Sequence, residues 1–576
     1  MNRTATVSVS PSPGPFWTLV FHFARRLFAP ENEQENRGMG LGLGTVLAIL
    51  ASPGAFASIF LMDKYSTLLQ WLRHQRFDPY KASAADEYFF IVLSMTIIGL
   101  VMVLRWNRLF PDRRDFENLA PLPIPIRNIF LANFAALAGL AVLFALDVNA
   151  ASSFLFPLFV ALSIDTFAAF FHVAICHAVT VLAASLFSFF GVFALVGTLM
   201  LILPKRLFRP VSVAARMFLV VALLTEFLSN LFLQLFAGRL PSQSAGYIER
   251  LPSFWFLGLY ENMLGTAKPA MALLGIRALE ALAALIAVAV VTYTLCYRRY
   301  FLRLPELQET LGGSRHVFRL PEGIAKLLFR SPFDHACCSF IVKVLMRSEQ
   351  HVMFFGGYLG IGLVMVAQTA FDSANQATPG SLPNSSLLAI PLMIAFFIVS
   401  GLRFVFDIPA ALDANWVFRL AVVPPAPDPR VLARRLMLWA VLPWQLFVLT
   451  PLMELRFGWP LAIGHTAAVV AFTVFSIDVL LLRFRKIPFT CSVQPELKQL
   501  LARILASVFA VLIMVPMLAA LERWMLFEPW RFAGLAVALA LAWHLLRRYR
   551  RDMLPADRAL TFEDRPKPQF ELLRLA

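Results

Sequence analysis

Charged residues are scarce in this chain. Only 15% of its 576 residues are Asp, Glu, Lys or Arg, whereas soluble domains carry about 25%. Hydrophobic residues make up 59% of the chain, and they come in blocks of roughly 17 to 25, the length that crosses a bilayer. This composition excludes a water-soluble globular protein. It predicts an all-α, polytopic membrane protein.

Catalytic signatures are also missing from the sequence. It has no Gly-rich phosphate loop ending in Lys-Ser or Lys-Thr, no HExxH and no GxSxG. We therefore predict that the chain is not an enzyme, and we expect no cofactor, metal or nucleic acid on it. Two clusters of His and Cys lack a known zinc spacing, so we interpret them as packing or surface residues. They are His172, Cys176 and His177, and Asp334, His335, Cys337 and Cys338.

About twelve apolar blocks predict transmembrane helices, in two halves of six. The net charge of +16 comes from Lys and Arg that cluster in alternate connecting segments, which the positive-inside rule makes cytoplasmic. We expect a bacterial-type inner-membrane protein with both termini cytoplasmic. The predicted spans are 45–62, 88–104, 129–146, 177–203, 216–237 and 272–296 in the first half, and 352–370, 387–405, 435–453, 461–482, 502–521 and 532–546 in the second.

Cysteines are few, and their positions exclude a disulfide framework. Four of the five, namely Cys296, Cys337, Cys338 and Cys491, fall on the predicted inner side. Cys176 alone lies near the predicted outer side. Structural disulfides belong to oxidising compartments, so we predict none here.

The domain organisation follows from these spans. Amphipathic stretches at 16–28 and 340–347 are interpreted as interfacial helices on the inner leaflet, one before each half. The predicted domains are an N-terminal segment with the first interfacial helix (1–40), a first six-span half (41–300), a cytoplasmic linker with the second interfacial helix (301–350), a second six-span half (351–546) and a basic cytoplasmic tail (547–576).

Weak internal similarity supports two halves in the same orientation. His177 precedes Phe187-Ser188 by the spacing at which His465 precedes Phe475-Ser476. Earlier matches align at a larger offset, so the first half contains an insertion. We predict that the insertion lengthens an outer loop around residues 148–176, where a loop can grow without disturbing packing.

Two segments resemble parts of the type-2 ABC-exporter permeases, over roughly residues 85–300. Residues 106–127 read WNRLFPDRRDFENLAPLPIPIR, run directly into the third span and look like that family's inner loop between spans two and three. Residues 251–261 read LPSFWFLGLYE and resemble its short, partly re-entrant outer element. The resemblance implies six spans after an inner-face elbow helix, and ABC ATPase subunits as partners that bind ATP and Mg.

The inner loop carries the residues that would contact such an ATPase. By the resemblance these are Arg113, Arg114, Asp115 and Glu117. The alternative interpretation is a topology anchor, because arginines beside a span hold orientation in any membrane protein. The second half's loop, residues 406–434, lacks this charge cluster and so departs from the family's pattern, which leaves open whether the second half contacts an ATPase subunit.

Polar residues inside the spans are candidates for a translocation path, because ionisable groups are costly in lipid. Glu226, Asn230 and Gln234 recur every four residues and share one helical face. They are interpreted either as the wall of a substrate path or as hydrogen-bond glue between helices. Asp478 is the second-half candidate, with an anchored ion pair near Arg483 as its alternative.

The remaining pair of charges within a span is Arg277 and Glu280. They lie three residues apart in the sixth predicted span. Local pairing on the helix is the expected explanation for them.

The sequence therefore predicts a permease subunit of an ATP-driven ABC exporter, embedded in the bilayer and acting on an unidentified substrate. A separate ATPase would supply the energy. One alternative is an ion-coupled secondary transporter that uses intramembrane carboxylates, and a third interpretation is an intramembrane enzyme acting on lipids.

Overall fold

The protein is an all-α polytopic membrane protein. Throughout the part of the chain that the computed structural model describes, the regular secondary structure is helical and no strand occurs. Apart from a few single residues, the structure describes 14–28, 43–65, 79–110, 123–164, 167–232, 250–300, 332–375, 383–410, 415–421, 428–482, 484–491, 509–526 and 530–553. The chain divides into two compact units, Met1–Ser314 (unit 1) and Arg315–Ala576 (unit 2).

Unit 1 contains eight α-helices among its described residues. They are α1 (Pro15–Phe28), α2 (Leu43–Tyr65), α3 (Pro79–Leu104), α4 (Ile126–Ile164), α5 (Phe167–Ile202), α6 (Lys205–Phe232), α7 (Pro252–Leu264) and α8 (Pro269–Tyr300). Helix α3 is central, since it packs against α2, α4, α5, α6 and α7. The predicted first interfacial helix is α1, which buries Leu19 and Phe23 against α4.

Unit 2 is also helical in its described part, but two of its helices are interrupted by π-helical turns. The helices are α9 (Pro332–Arg347), α10 (Glu349–Asn375), α11 (Ser385–Val405), α12 (Asn415–Ala421), α13 (Pro429–Trp444), α14 (Thr450–Phe457), α15 (Trp459–Leu480), α16 (Val515–Leu526) and α17 (Arg531–Met553). The π turns are Gln445–Leu449, which joins α13 to α14, and Ala510–Met514, which leads into α16.

Nine helical segments in the described residues are long and apolar enough to span a membrane. Each corresponds to one of the predicted spans. The apolar part of α2, Leu47–Met62, is shorter, while α16 follows a segment outside the described residues. Together with α17, these account for the remaining predicted spans, so the structure supports a multi-pass protein without confirming a count of twelve.

The predicted outer loop around residues 148–176 is wrong. Instead of a loop, the chain continues α4 to Ile164 and begins α5 at Phe167. The residues are almost entirely apolar and contain good helix formers, so the insertion lengthens a helical hairpin. At 39 residues, α4 is ~58 Å long at 1.5 Å per residue.

Candidate functional site

A polar network lies around α3 at the predicted outer end of unit 1. The sequence interpretation began the second span at Tyr88 and so left Asp86 and Glu87 in an outer loop. In the structure α3 already begins at Pro79, a residue that suits the first helical turn because it has no N–H to leave unpaired. Asp86 and Glu87 are therefore held inside the bundle, at 4% and 0% exposure.

Asp86 is neutralised from the end of α2. Its two carboxylate oxygens accept hydrogen bonds from Lys64 Nζ at 2.8 and 2.9 Å, and Tyr65 Oη donates to Oδ2 at 2.5 Å. A buried charge persists only when it is paired and hydrogen-bonded. The contact thus ties the end of α2 to the start of α3.

Glu87 points to the other side of α3 and contacts α5. Its Oε2 lies 2.5 Å from His177 Nδ1, and both side chains are completely buried. Phe90 and Phe156 enclose the imidazole, with ring centroids 5.3 and 5.2 Å away. The result is an acid–base pair sealed from solvent by aromatic rings, the kind of arrangement that functional sites use.

The other imidazole nitrogen of His177 contacts α4. Nε2 lies 3.2 Å from Ser152 Oγ, and that hydroxyl donates to the Asn149 carbonyl at 3.1 Å. The Asn149 amide continues the network, because it donates to Ser185 Oγ at 3.0 Å and its oxygen accepts from Ser94. Helices α3, α4 and α5 are thus joined by a continuous buried hydrogen-bonded chain.

The short helix α7 covers this network. Tyr260, fully buried, donates to Ser83 Oγ at 3.2 Å, and Ser253 Oγ donates to Tyr88 Oη at 3.3 Å. Helix α7 lies against α8 backbone to backbone, since a Cβ on Gly258 would stand 2.4 Å from the Met271 carbonyl oxygen. Glycine is needed for this hairpin, which places α7 over the predicted outer end of α3.

Glu226, the predicted path residue, lies beside the same cover. It is half-buried on α6 and hydrogen-bonds to Ser253 of α7. Its Oε1 is buried and has no hydrogen-bond partner in the described part of the chain. The side chain of Asn230 and all of Gln234 lie outside the described residues, so the predicted stripe stays a prediction.

Unit 2 contains a second buried acid–base pair. His465 Nδ1 of α15 lies 2.6 Å from Glu522 Oε1 of α16, and both side chains have 0% exposure. In contrast with His177, the second nitrogen of His465 has no hydrogen-bond partner among the described residues, and neither does Glu522 Oε2. The described residues of each unit therefore include a buried His–carboxylate pair, and we call the two the unit 1 pair and the unit 2 pair.

Asp478, the second-half candidate, lies in an ion pair at the other end of α15. Its Oδ1 accepts from Arg434 Nε at 2.7 Å, and its Oδ2 accepts from Trp543 Nε1 at 2.8 Å. Arg483, the partner suggested by the sequence, lies outside the described residues. The contacts favour an anchoring role for Asp478, because they join α13, α15 and α17.

A charged node lies after α11, at the predicted inner end of unit 2. Asp407 Oδ1 lies 2.7 Å from Arg403 Nη1 and 3.0 Å from Lys486 Nζ. Burial alone would raise the pKa of Asp407, but the two cations hold it below its usual value. Burial lowers the pKa of Lys486 despite the attraction of Asp407. The node fixes the loop after α11 to the loop after α15.

Other predicted residues lie apart from these networks. Arg277 and Glu280 are both exposed on α8, and no hydrogen bond or ion pair joins them, so the expected local pairing is wrong. His172 Nε2 lies 3.2 Å from the Met263 carbonyl oxygen. The proposed ATPase-contact residues Arg113, Arg114, Asp115 and Glu117 lie outside the described residues.

No protein-family model, curated protein or solved structure matches the chain.

Sequence reasoning missed both His–carboxylate pairs. It placed Glu87 and Glu522 next to predicted spans rather than inside the bundle, because hydropathy windows end at a carboxylate. The internal repeat held the useful signal, since it aligned His177 with His465. A histidine occurs at the same place in both halves, and an acidic residue lies at the predicted outer end of another span. This combination indicates a contact between the histidine and the carboxylate in each half.

Proposed function

We propose that this chain is the permease subunit of an ATP-driven ABC exporter of a bacterial-type inner membrane. It provides the translocation path for a substrate that its sequence does not identify. A separate ATPase binds ATP and Mg and drives the conformational change from the cytoplasmic side. Both termini of the chain lie on that side in this proposal.

The observation that carries the proposal is α7. It is a short helix between two candidate spans, too short to cross a bilayer, yet its residues Phe254, Phe256, Leu257 and Tyr260 are buried in the core of unit 1. It turns at Gly265, whose φ of +75° suits glycine, and returns along α8. This supports the re-entrant outer element that the resemblance implies.

Co-purification tests the partner. Arg113→Ala with Arg114→Ala should weaken recovery of the co-expressed ABC ATPase, because the docking charges are removed while basic residues elsewhere still set topology. Arg547→Ala with Arg548→Ala, in the predicted inner tail, is the matched control. Undiminished co-purification and ATPase stimulation in the first variant would overturn the docking assignment.

Transport tests the path. Glu226→Gln keeps the shape and hydrogen bonding of the side chain but removes a possible charge. If Glu226 lines the path in its ionised form, transport of a cationic or polar substrate should fall while expression stays normal. Normal transport of every substrate tested would instead assign Glu226 to the packing of α6 against α7.

The two buried pairs favour a second candidate, an ion-coupled secondary transporter, because intramembrane acid–base groups are common proton sites. Vesicles that contain the chain distinguish the two energy sources. Uptake or export that requires ATP and the ATPase supports the first candidate. Transport driven by a pH gradient without the ATPase, and abolished by Glu87→Gln, would replace it with the second.

A further inference from the structure

Helix α8 carries two charges on a face that nothing in the described part of the chain covers. We propose that this face binds the same face of a second copy of the chain, so that the two α8 helices lie side by side and parallel in the bilayer. The inference concerns assembly and does not depend on which energy source drives transport.

The exposed face of α8 has the residue spacing of a helix–helix seam. The opposite face packs against α5 and α7 and includes the buried residues Leu274, Ala278 and Ala289. Alternating steps of four and three residues keep side chains on one stripe of a helix, and they are the spacing at which two helices pair in a left-handed coil. We call the exposed residues with this spacing the α8 seam: Leu273, Arg277, Glu280, Ala284, Ala287, Val291 and Thr294.

The two charges of the seam lie inside a candidate span. Arg277 and Glu280 belong to Pro269–Cys296, and at 1.5 Å per residue Glu280 stands ~17 Å from Pro269 and ~24 Å from Cys296. The short Glu280 side chain therefore cannot reach the headgroups of either leaflet. Neither charged side chain has a hydrogen bond or ion pair in the described part of the chain. Because charges inside a span are costly in lipid, we expect these two to face protein or water in the membrane.

The charges of the seam are complementary to themselves. Two copies in one membrane have the same orientation, so a two-fold axis between them runs along the membrane normal and brings residues of equal depth together. Arg277 and Glu280 lie one helical turn apart, so Arg277 of each copy can reach Glu280 of the other copy. The two reciprocal ion pairs leave no net charge at the contact. A seam with charges of one sign would repel its own copy.

The rest of the seam favours protein over water. Next to the charges stand Ala284 and Ala287, followed by Val291, and small residues let two helices in a bilayer approach closely enough for backbone contact. A water-filled path would be lined by polar groups instead. The exposed residues Val142 and Leu146 of α4 are apolar and large, as lipid contact requires. The α8 seam combines charges with small residues, so it fits another helix better than it fits lipid.

Disulfide cross-linking of the full chain in membranes tests the contact. Ala284→Cys and Ala287→Cys, each made alone, should give an oxidised product of twice the chain mass, because residues of equal depth on the seam meet. Leu279→Cys and Val290→Cys are the matched controls, since both residues are exposed on α8 but lie off the seam. The unmodified chain gives the background, because its five cysteines are buried. No linked product from the seam variants, a linked product of another mass, or equal yields from the controls would overturn the proposal.

Exchange of the two charges tests their pairing separately. Arg277→Glu alone and Glu280→Arg alone each leave the seam with charges of one sign. Energy transfer between labelled copies in lipid vesicles should then show association weakened by about tenfold or more, because like charges across an interface repel strongly. The double variant Arg277→Glu with Glu280→Arg has both signs again and should restore association. Single variants that associate like the unmodified chain, or a double variant that associates no better than the single ones, would contradict the proposal.

Discussion

The predicted outer ends of units 1 and 2 contain the same chemical pair in different settings. In unit 1 the imidazole has partners on both nitrogens. Helix α7, which lies between α6 and α8 in the sequence, covers the network. In unit 2 one nitrogen lacks a partner in the described residues, and α17 begins at Arg531, soon after α16 ends at Leu526. A repeated histidine thus does not imply a repeated environment, because the surrounding polar groups decide what the pair does.

The largest effect is expected from removing each histidine in turn. His177→Ala removes the imidazole that contacts both Glu87 and Ser152, and each buried polar group left without a partner costs about 1–3 kcal/mol of unfolding free energy. His465→Ala removes an imidazole whose side-chain contact among the described residues is with Glu522 alone, so its loss should be smaller, at about 1–3 kcal/mol. Denaturant unfolding of both variants in the same detergent measures the difference. Equal losses of unfolding free energy in the two variants would show that the surroundings of the two pairs do not differ in strength.

Gly258→Ala should come next, because it disrupts the packing of α7, which covers the unit 1 pair. The new methyl group would collide with the Met271 carbonyl and the backbone of Gly275, and overpacking of this kind costs about 1–3 kcal/mol. Gly139→Ala is the matched control, since nothing lies within 4 Å of its new Cβ. The midpoint temperature of thermal unfolding should fall for Gly258→Ala and not for Gly139→Ala. An unchanged midpoint in Gly258→Ala would show that α7 and α8 are not closely packed.

A smaller, pH-dependent effect is expected at the charged node of unit 2. The pKa of Asp407 is lower in the folded protein than in the unfolded chain, so the unfolded state takes up the proton first as pH falls. The stability that Asp407 contributes is therefore present at neutral pH and is lost on acidification through its folded pKa. Asp407→Asn should lower stability at pH 7 by about 1–3 kcal/mol and reduce its acid dependence. If the stability of Asp407→Asn changed with pH in the same way as that of the unmodified chain, the ion pairs of Asp407 with Arg403 and Lys486 would be contradicted.

The smallest effect is expected at Asp478. Arg434 is 40% exposed and Asp478 is 22% exposed in this ion pair, and pairs with such access to solvent contribute about 0–1 kcal/mol. Asp478→Asn should therefore leave unfolding and transport nearly unchanged. A large loss of transport at normal stability would show that unit 2 has a substrate site at its predicted inner end.

The helices could be predicted well from sequence, but the sites could not. Long apolar blocks identify spans, because a bilayer accepts little else, and α11 and α15 begin and end within two residues of the predicted bounds. Hydropathy fails at Glu87 because a carboxylate looks like a loop residue until its imidazole partner is known. The partner of Glu87 is 90 residues away in sequence, and only the packing of α3 on α5 brings the two together.

The insertion near residue 148 was misjudged for a different reason. Apolar residues such as Phe154 and Phe167 do not suit a water-exposed loop. The alignment of the two halves shows only how many residues the insertion has, whereas their apolar character indicates helix. Composition was the better guide in this segment. The residues predicted to contact an ATPase remain a prediction, since their role depends on a partner rather than on the chain's own packing.

The extended hairpin of α4 and α5 has a consequence for the surrounding lipid. Helices of 39 and 36 residues are ~58 and ~54 Å long, and the observed range of helix tilts does not fit them into a hydrocarbon layer of about 30 Å. Near the connection of the hairpin, Phe154, Leu162, Phe167 and Phe171 are more than half exposed. We expect such a hairpin to produce hydrophobic mismatch, which thickening of the surrounding bilayer or bending of α4 at Pro157 would relieve. Acyl-chain length should accordingly act on unit 1 more than on unit 2, where α11 and α15 have 21 and 22 residues.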